Sequence, residues 1–220
     1  MALPGTIMSA PAGRHGIDCN TVLTATNCSA IKNQGYTFCL RYVSRGEHEP
    51  AGDLSAGEAS IILNSGLALM PVQHVARKKG GWSPSEALGT EYGQNAATHV
   101  HDIGFPPGVN VWLDLEGIKP STPHKTVINY ANAWFAAVSG AGFVPGVYVG
   151  ANAILTGDEL FWRLQTKHYW KSGSVVPPIP QRGYQMIQKI IKGDEVDGVG
   201  IDRNLTQTDA FGDSVQWLAI

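Results

Sequence analysis

Two carboxylates stand two positions apart near the end of the segment from Val109 to Gly117. Because strand side chains alternate between faces, Trp112, Asp114 and Glu116 share one face and the intervening apolar residues share the other. One acid of such a pair can protonate a leaving oxygen while another charge steadies an oxocarbenium ion, and the tryptophan face can hold a sugar. The pattern therefore favours glycoside hydrolysis. The alternative is a strand that ends in solvated acids.

Two further acids belong to the first and last predicted strands. Asp18 ends the motif Gly16-Ile17-Asp18, and Asp202 lies within Gly200-Ile201-Asp202-Arg203-Asn204. In a closed barrel the first and last strands are neighbours, and barrel enzymes carry their sites at the C-terminal mouth. We therefore expect Asp18 and Asp202 side by side, with Asp114 and Glu116 facing them. A turn cap is the structural alternative for Asp202.

Other polar side chains stand near strand ends and are candidates for substrate binding: Arg41, Gln73, His74, Tyr148 and Gln185. Arg41 suits an ion pair with Asp18 as well as a substrate contact. His74 suits hydrogen-bonded scaffolding as well as a base, and Tyr148 suits barrel filling with its hydroxyl toward the mouth. Gln185 fits either kind of role.

These residues need a framework that brings distant strands together. Short β-like runs alternate with helix-like segments, which is typical of a βα architecture. The predicted strands are His15 to Cys19, Tyr36 to Ser44, Leu67 to His74, Val109 to Glu116, Val144 to Val149, Tyr184 to Ile191 and Gly198 to Asn204, with a weaker one near Tyr169. The expected fold is α/β, a TIM-like (β/α) barrel that forms one domain over residues 1–220.

Composition excludes several function classes. The chain has 220 residues, 43% hydrophobic and 15% charged, with a formal net charge of −2. It lacks the basic face that nucleic acid binding requires, so no nucleic acid partner is expected. The longest apolar stretches fall far short of the roughly 20 residues that span a bilayer, so membrane insertion is not expected. The oligomeric state stays open.

Metal, cofactor and disulfide signals are weak. Cys19, Cys28 and Cys39 form no C-x-x-C pair, so we expect buried or inert thiols. No histidine pair has a ligand spacing and no Gly-rich phosphate loop is present, so neither a metal nor a cofactor is predicted. Residues 1–13 lack a basic n-region and a long apolar core, so no signal peptide is predicted. A cytoplasmic location, a removed signal and another export route all stay open.

The order of the motifs resembles the bacterial glycoside-hydrolase-like domain family that occurs in secreted proteins. The matching pieces cover nearly the whole chain: Gly16-Ile17-Asp18, Phe38-Cys39-Leu40-Arg41-Tyr42, Leu54-Ser55 with Glu58, Gly66-Leu67-Ala68-Leu69, Trp112-Leu113-Asp114-Leu115-Glu116, Pro145-Gly146-Val147-Tyr148 and Gly200-Ile201-Asp202-Arg203-Asn204. That family is similar to the barrel lysozymes of glycoside hydrolase family twenty-five, which cleave the muramic acid bond of peptidoglycan.

The resemblance implies roles for the acids. Glu116 corresponds to the general acid and Asp114 to its charged partner, while Asp18 and Asp202 shape the site. It also implies a barrel with fewer or distorted helices on the C-terminal side. If the substrate is wall glycan, the protein is expected to act at the cell wall or outside the cell.

Three functions remain open at this point. The first is a glycoside hydrolase acting on bacterial peptidoglycan, with the attacking group a water, an enzyme carboxylate or the acetamido group of the substrate. The second is a glycan-binding module that does not cleave, in which the acids and Trp112 hold sugar hydroxyls. The third is a barrel scaffold of a wall or phage assembly whose pocket is vestigial.

Overall fold

The computed structural model describes residues 2–76 and 78–220. In this part of the chain the helices are α1 (Ala25–Asn33), α2 (Ala56–Asn64), α3 (Glu86–Ile103), α4 (His124–Gly140) and α5 (Gly157–Arg163). The strands are β1 (Thr6–Ser9), β2 (His15–Cys19), β3 (Phe38–Val43), β4 (Ala68–Gln73), β5 (Asn110–Leu115), β6 (Val144–Val149), β7 (His168–Lys171), β8 (Met186–Lys189), β9 (Glu195–Val196), β10 (Val199–Gly200), β11 (Asp202–Thr206) and β12 (Gln216–Ala219).

Eight of these strands close into a barrel. Strands β2 to β8 run parallel in chain order, and β4 pairs with β5 through Val72 and Trp112. Strand β11 lies between β8 and β2 and is antiparallel to both. The predicted TIM-like barrel is therefore confirmed, with one reversed strand that the sequence pattern did not reveal.

Helices cover only part of the barrel. Each of the five helices follows one of the strands β2 to β6, whereas no α-helix of the described chain follows β7 or β8. A proline-containing loop and the β9–β10 hairpin stand there instead. The weakly predicted strand near Tyr169 exists as β7, and the reduced helix content on the C-terminal side is as expected.

Strands β1 and β12 form an antiparallel ribbon that was not predicted. The ribbon joins the barrel through Leu218, which pairs with Leu69 of β4. Trp217 also contacts the ring of Phe38 with the ring centres 5.5 Å apart. Most residues of β1 are exposed, so this strand lacks the strong apolar pattern that identifies the barrel strands.

The helices α3 and α4 pack closely against each other. The apolar stripe of α4 is buried as its helical spacing predicts: Ile128, Ala131, Trp134, Phe135 and Val138. Gly89 and Gly93 of α3 face this helix, and a Cβ at Gly89 would overlap the Tyr130 carbonyl oxygen. Close approach of the two backbones therefore depends on glycine at both positions.

Two further findings concern the cysteines and the helices. Cys19, Cys28 and Cys39 are buried free thiols, as expected. In the described part of the chain, no helix has the length and apolar character needed to cross a bilayer.

Candidate active site

The carboxyl ends of the parallel strands and the start of β11 meet at one end of the barrel, here called the mouth. Because β11 is antiparallel, Asp202 at its beginning lies level with Asp18 near the end of β2, and the two residues are direct register partners. The expected pairing of Asp18 with Asp202 is therefore confirmed, and it depends on the reversed direction of the last strand.

Asp18 is the best enclosed acid of the mouth, with 3% of its surface exposed. Its Oδ2 accepts hydrogen bonds from Gln188 Nε2 at 2.9 Å and Asn204 Nδ2 at 2.8 Å, and its Oδ1 accepts one from the Tyr42 hydroxyl at 3.3 Å. Burial raises the pKa of Asp18 to about 6, while these donors oppose the rise. The carboxyl is thus held in place by neutral partners.

The other acids lie around the same opening. Asp114 is buried on β5, level with Tyr148 of β6. Glu116 follows β5 and is half-buried, and its side chain packs against Gly150, where a Cβ would approach the carboxylate within 2.6 Å. Burial and, after it, the Asp194 carboxylate raise the pKa of Asp202. Three strands and one loop therefore bring four acids to the mouth.

Two adjoining spaces open at the mouth. The inner one has a volume of about 170 Å³ and is lined by Asp114, Glu116 and Asp202 together with Tyr42, Tyr148, Trp170 and Gln188. The outer one is a cleft of about 640 Å³ lined by Asp53, His74, Arg45, Tyr92 and other residues. Tyr42 and Asp114 border both spaces, so the cleft leads into the acidic cavity.

Tyr148 reaches the mouth as expected. Its hydroxyl donates to Gln188 Oε1 at 2.8 Å, and its ring meets the edge of Trp170 at 4.5 Å. Burial raises the pKa of Tyr148, and Asp114 and Glu116 raise it further. The Tyr148 hydroxyl therefore stays protonated and acts as a hydrogen-bond donor in the network below the acids.

His74 lies on the wall of the cleft with about 30% of its side chain exposed. Its Nε2 is 2.8 Å from Asp53 Oδ1, and its ring stacks on Tyr42 with the centres 4.6 Å apart. Asp53 therefore holds His74 in place, and the exposed part of the His74 side chain lines the cleft.

Arg41 lies away from the opening and is fully buried. Its guanidinium pairs with Glu58, at 2.6 Å between Nε and Oε1, and donates to the carbonyl oxygens of Cys19 and Gly52. The expected ion pair exists, but its partner is Glu58 of α2 and not Asp18. Glu58 also accepts from the backbone of Leu23, so this pair joins three segments behind the mouth.

Trp112 points into the barrel, yet it is fully buried below the mouth. Its ring meets the Trp170 ring at 5.8 Å and covers Gly146, where a Cβ would lie 2.5 Å from the indole. The ring therefore offers no exposed face to a sugar. Its place is explained by the barrel interior, which large side chains must fill.

The two remaining candidates, Gln73 and Gln185, are buried in structural networks. Gln73 donates to the carbonyl oxygens of Ser44 and Tyr92 and accepts from Trp134 Nε1. Gln185 accepts from the backbone of Tyr169 and donates to Lys167 and Asp209. Neither side chain lines the inner cavity or the cleft.

Sequence reasoning missed three residues that contact Asp18: Tyr42, Gln188 and Asn204. Gln188 belongs to the predicted strand Tyr184 to Ile191, in which period-two alternation places Gln185 and Gln188 on opposite faces. Asn204 follows Asp202 by two residues, so the same alternation places both on the inner face of β11. The alternation of side chains along these two strands was therefore the sequence signal that could have identified Gln188 and Asn204.

Comparison with known proteins identifies relatives. The family model described as "Rv2525c-like, glycoside hydrolase-like domain" matches residues 29–206. The uncharacterized protein YbfG of Bacillus subtilis is 26% identical over 106 residues, a match that covers 45% of this chain and only 14% of YbfG.

Solved structures share the fold. The Tat-secreted protein Rv2525c of Mycobacterium tuberculosis, in complex with L-tartrate, has a TM-score of 0.66 at 18% identity, covering 92% of this chain and 99% of its own. A bacterial lysozyme from Streptomyces coelicolor has a TM-score of 0.59 at 16% identity, covering 92% and 95%. The autolysin LytC of Streptococcus pneumoniae, with a synthetic peptidoglycan ligand, has a TM-score of 0.61 at 11% identity, covering 89% and 47%.

Proposed function

The chain belongs to the Rv2525c-like, glycoside hydrolase-like domain family, and from that premise we propose that it is a glycoside hydrolase acting on bacterial cell-wall glycan. The observation that carries the proposal is the cavity of about 170 Å³ in which Asp114, Glu116 and Asp202 converge above the buried Asp18. Most glycosidases use a pair of carboxyl side chains that flank the scissile glycosidic bond.

Glu116 delivers the proton to the leaving oxygen in this mechanism. Glu116 is half-buried and lines the inner cavity. Its backbone carbonyl oxygen accepts a hydrogen bond from Trp82 Nε1 at 2.7 Å. The next residues are fixed as well, since Gly117 N donates to Ala151 O at 2.8 Å and Ile118 N donates to Asn152 O at 3.2 Å. A general acid needs such fixed geometry, because proton transfer requires hydrogen-bond distance to the leaving oxygen.

Asp114, Asp18 and Asp202 supply negative charge to the sugar as it becomes an oxocarbenium ion. Asp114 borders both the cleft and the inner cavity, so it lies beside a sugar that enters from the cleft. Charge in an enclosed site is worth more than in water, because water does not screen it. Asp18 acts from below, and the Gln188 amide links it to Tyr148.

The glycan itself occupies the cleft. Its volume of about 640 Å³ falls within the usual range of about 300–1,000 Å³ for ligand sites. Peptidoglycan is the favoured substrate because the structural neighbours include a lysozyme and an autolysin in complex with a synthetic peptidoglycan ligand.

The test is release of reducing ends from purified peptidoglycan. Glu116→Gln keeps the shape of the side chain and removes its transferable proton, so turnover is expected to fall by about 10²–10⁴-fold. Glu195→Gln, an exposed acid of the β9–β10 hairpin, is the matched control and should retain full activity. Equal rates for Glu116→Gln and the unmodified protein would show that Glu116 is not the general acid.

A second candidate function is glycan binding without cleavage. The inner cavity of about 170 Å³ is smaller than the usual ligand site, which favours a sugar that rests in the cleft. In that case glycan binds with measurable affinity while neither the unmodified protein nor Glu116→Gln releases reducing ends. Detectable turnover that depends on Glu116 rules out this alternative.

A further inference from the structure

The cleft holds a cation that the proposed hydrolysis does not use. Arg45 lies in the loop after β3 and lines the cleft that also contains Asp114. Its guanidinium carbon is 5.4 Å from the centre of the Tyr92 ring, a cation–π contact. We propose that Arg45 and Tyr92 form a subsite for a carboxylate carried by the saccharide, so that the cleft selects acidic over neutral glycans; this inference rests on the proposed function.

Arg45 is held in place before any ligand binds. Asn95 Nδ2 donates to the Arg45 carbonyl oxygen at 2.7 Å, and His99 Nε2 lies 2.7 Å from the carbonyl oxygen of Gly46. Asn95 and His99 are four residues apart on α3, the helix that also carries Tyr92. One helix face thus fixes both the backbone and the guanidinium of Arg45, which lowers the entropic cost of binding an anion.

The guanidinium has donors to spare. Its Nε is buried and has no hydrogen-bond partner among the described residues. None of the ion pairs in residues 2–76 and 78–220 includes Arg45. A buried donor without a partner is costly, and a guanidinium presents parallel N–H groups that match a carboxylate. In the cleft, a ligand carboxylate would accept hydrogen bonds from the terminal nitrogens of this guanidinium.

The acids of the cleft leave room for this interaction. Asp53 is already paired with His74 at 2.8 Å, and Glu91 is exposed on the first half of α3. Asp114 lies where the cleft meets the inner cavity, next to the reacting sugar. The cleft is therefore polarised, with negative charge at the cavity and an unpaired cation on its wall. A neutral sugar offers that cation hydroxyl and amide oxygens but no opposite charge.

The experiment compares two ligands that differ in their carboxylates. Chitotetraose is neutral, whereas a peptide-free tetrasaccharide of alternating N-acetylglucosamine and N-acetylmuramic acid carries free lactyl carboxylates. Titration calorimetry uses the Glu116→Gln protein so that no ligand is consumed. The acidic ligand is expected to bind about tenfold more tightly, and this preference should shrink as salt is added because it is electrostatic.

A second substitution in the same background locates the cation. Arg45→Gln should abolish the preference, because it lowers the affinity for the acidic ligand far more than the affinity for chitotetraose. Arg45→Lys should retain part of the preference, since the charge remains and the planar fork is lost. Arg14→Gln, an equal charge change at an exposed site before β2, should preserve the preference.

The outcomes separate this subsite from the proposed function. Equal binding of both ligands, or a preference that survives Arg45→Gln, overturns the subsite and leaves the glycan function intact. Failure of both ligands to bind contradicts the glycan function and the subsite together. If Arg45→Gln does not fold, the salt dependence of the preference in the Glu116→Gln protein decides, because a preference that salt does not weaken is not electrostatic.

Discussion

Asp18→Asn is expected to make the folded protein more stable at neutral pH. The buried carboxyl has its pKa raised from 3.8 to about 6, so the folded state holds its proton more tightly than the unfolded chain does. The resulting stabilisation is fully present below pH 3.8 and is lost as the pH rises through about 6. At about 1.4 kcal/mol for each tenfold change, the loss amounts to about 3 kcal/mol.

The asparagine fits the existing network without a rearrangement. Its amide oxygen can accept from Gln188 and Asn204 where Oδ2 does now, and its NH₂ can donate to the Tyr42 oxygen. The substitution therefore removes the pH-dependent charge and retains the hydrogen bonds.

The assay is urea unfolding of both proteins at pH 4 and at pH 7. The free-energy difference between Asp18→Asn and the unmodified protein should grow by about 2 kcal/mol between these values, in favour of the variant, because a small part of the loss has already occurred at pH 4. Titrating groups that do not interact with Asp18 cancel in this difference. A difference that is the same at both pH values refutes the argument that burial penalises the charge of Asp18. If the charge serves catalysis, the more stable variant is also the slower enzyme.

Two further predictions concern the packing that supports the mouth. Glu58→Gln leaves the guanidinium of Arg41 buried without its counter-charge, so the free energy of unfolding should fall by about 3–5 kcal/mol; a loss below about 1 kcal/mol in urea titration contradicts this. Gly89→Ala forces a methyl group against the backbone of α4 and should cost about 1–3 kcal/mol. Gly140→Ala meets no atom within 4 Å and should leave thermal stability unchanged or slightly higher. Equal melting temperatures for the two alanine variants would refute the packing argument.

The sequence allowed prediction of those parts of the site that depend on local period and on closure. Alternation along β5 placed Asp114 on the inner face, and closure of the barrel made β2 and the last strand neighbours, which paired Asp18 with Asp202. Both conclusions use the direction of side chains and the number of strands. The pairing with Asp202 depends also on the direction of β11, which the pattern did not predict, because an acid at the beginning of this strand lies at the mouth only if the strand is antiparallel to β2.

The partners of buried polar groups were not predictable in the same way. The sequence offers Arg41 either an ion pair with Asp18 or a substrate contact, yet its side chain turns to Glu58, which comes from a helix. The sequence analysis names Gln185 as a site residue, whereas the glutamine that contacts Asp18 is Gln188, on the opposite face of the same predicted strand. The partners of these side chains depend on three-dimensional packing. When polar residues occupy both the odd and the even positions of a strand, its sequence does not show which face points into the barrel.

The placement of Asp18 has a consequence for the growing polypeptide. The amide groups that hold its carboxylate come much later in the chain, 170 residues on at Gln188 and 186 residues on at Asn204. A ribosome-bound chain that has not yet released β11 lacks the strand that closes the barrel and, with it, the Asn204 donor that helps to orient this acid. Asp18 can therefore reach its full set of hydrogen bonds only after synthesis has passed residue 204.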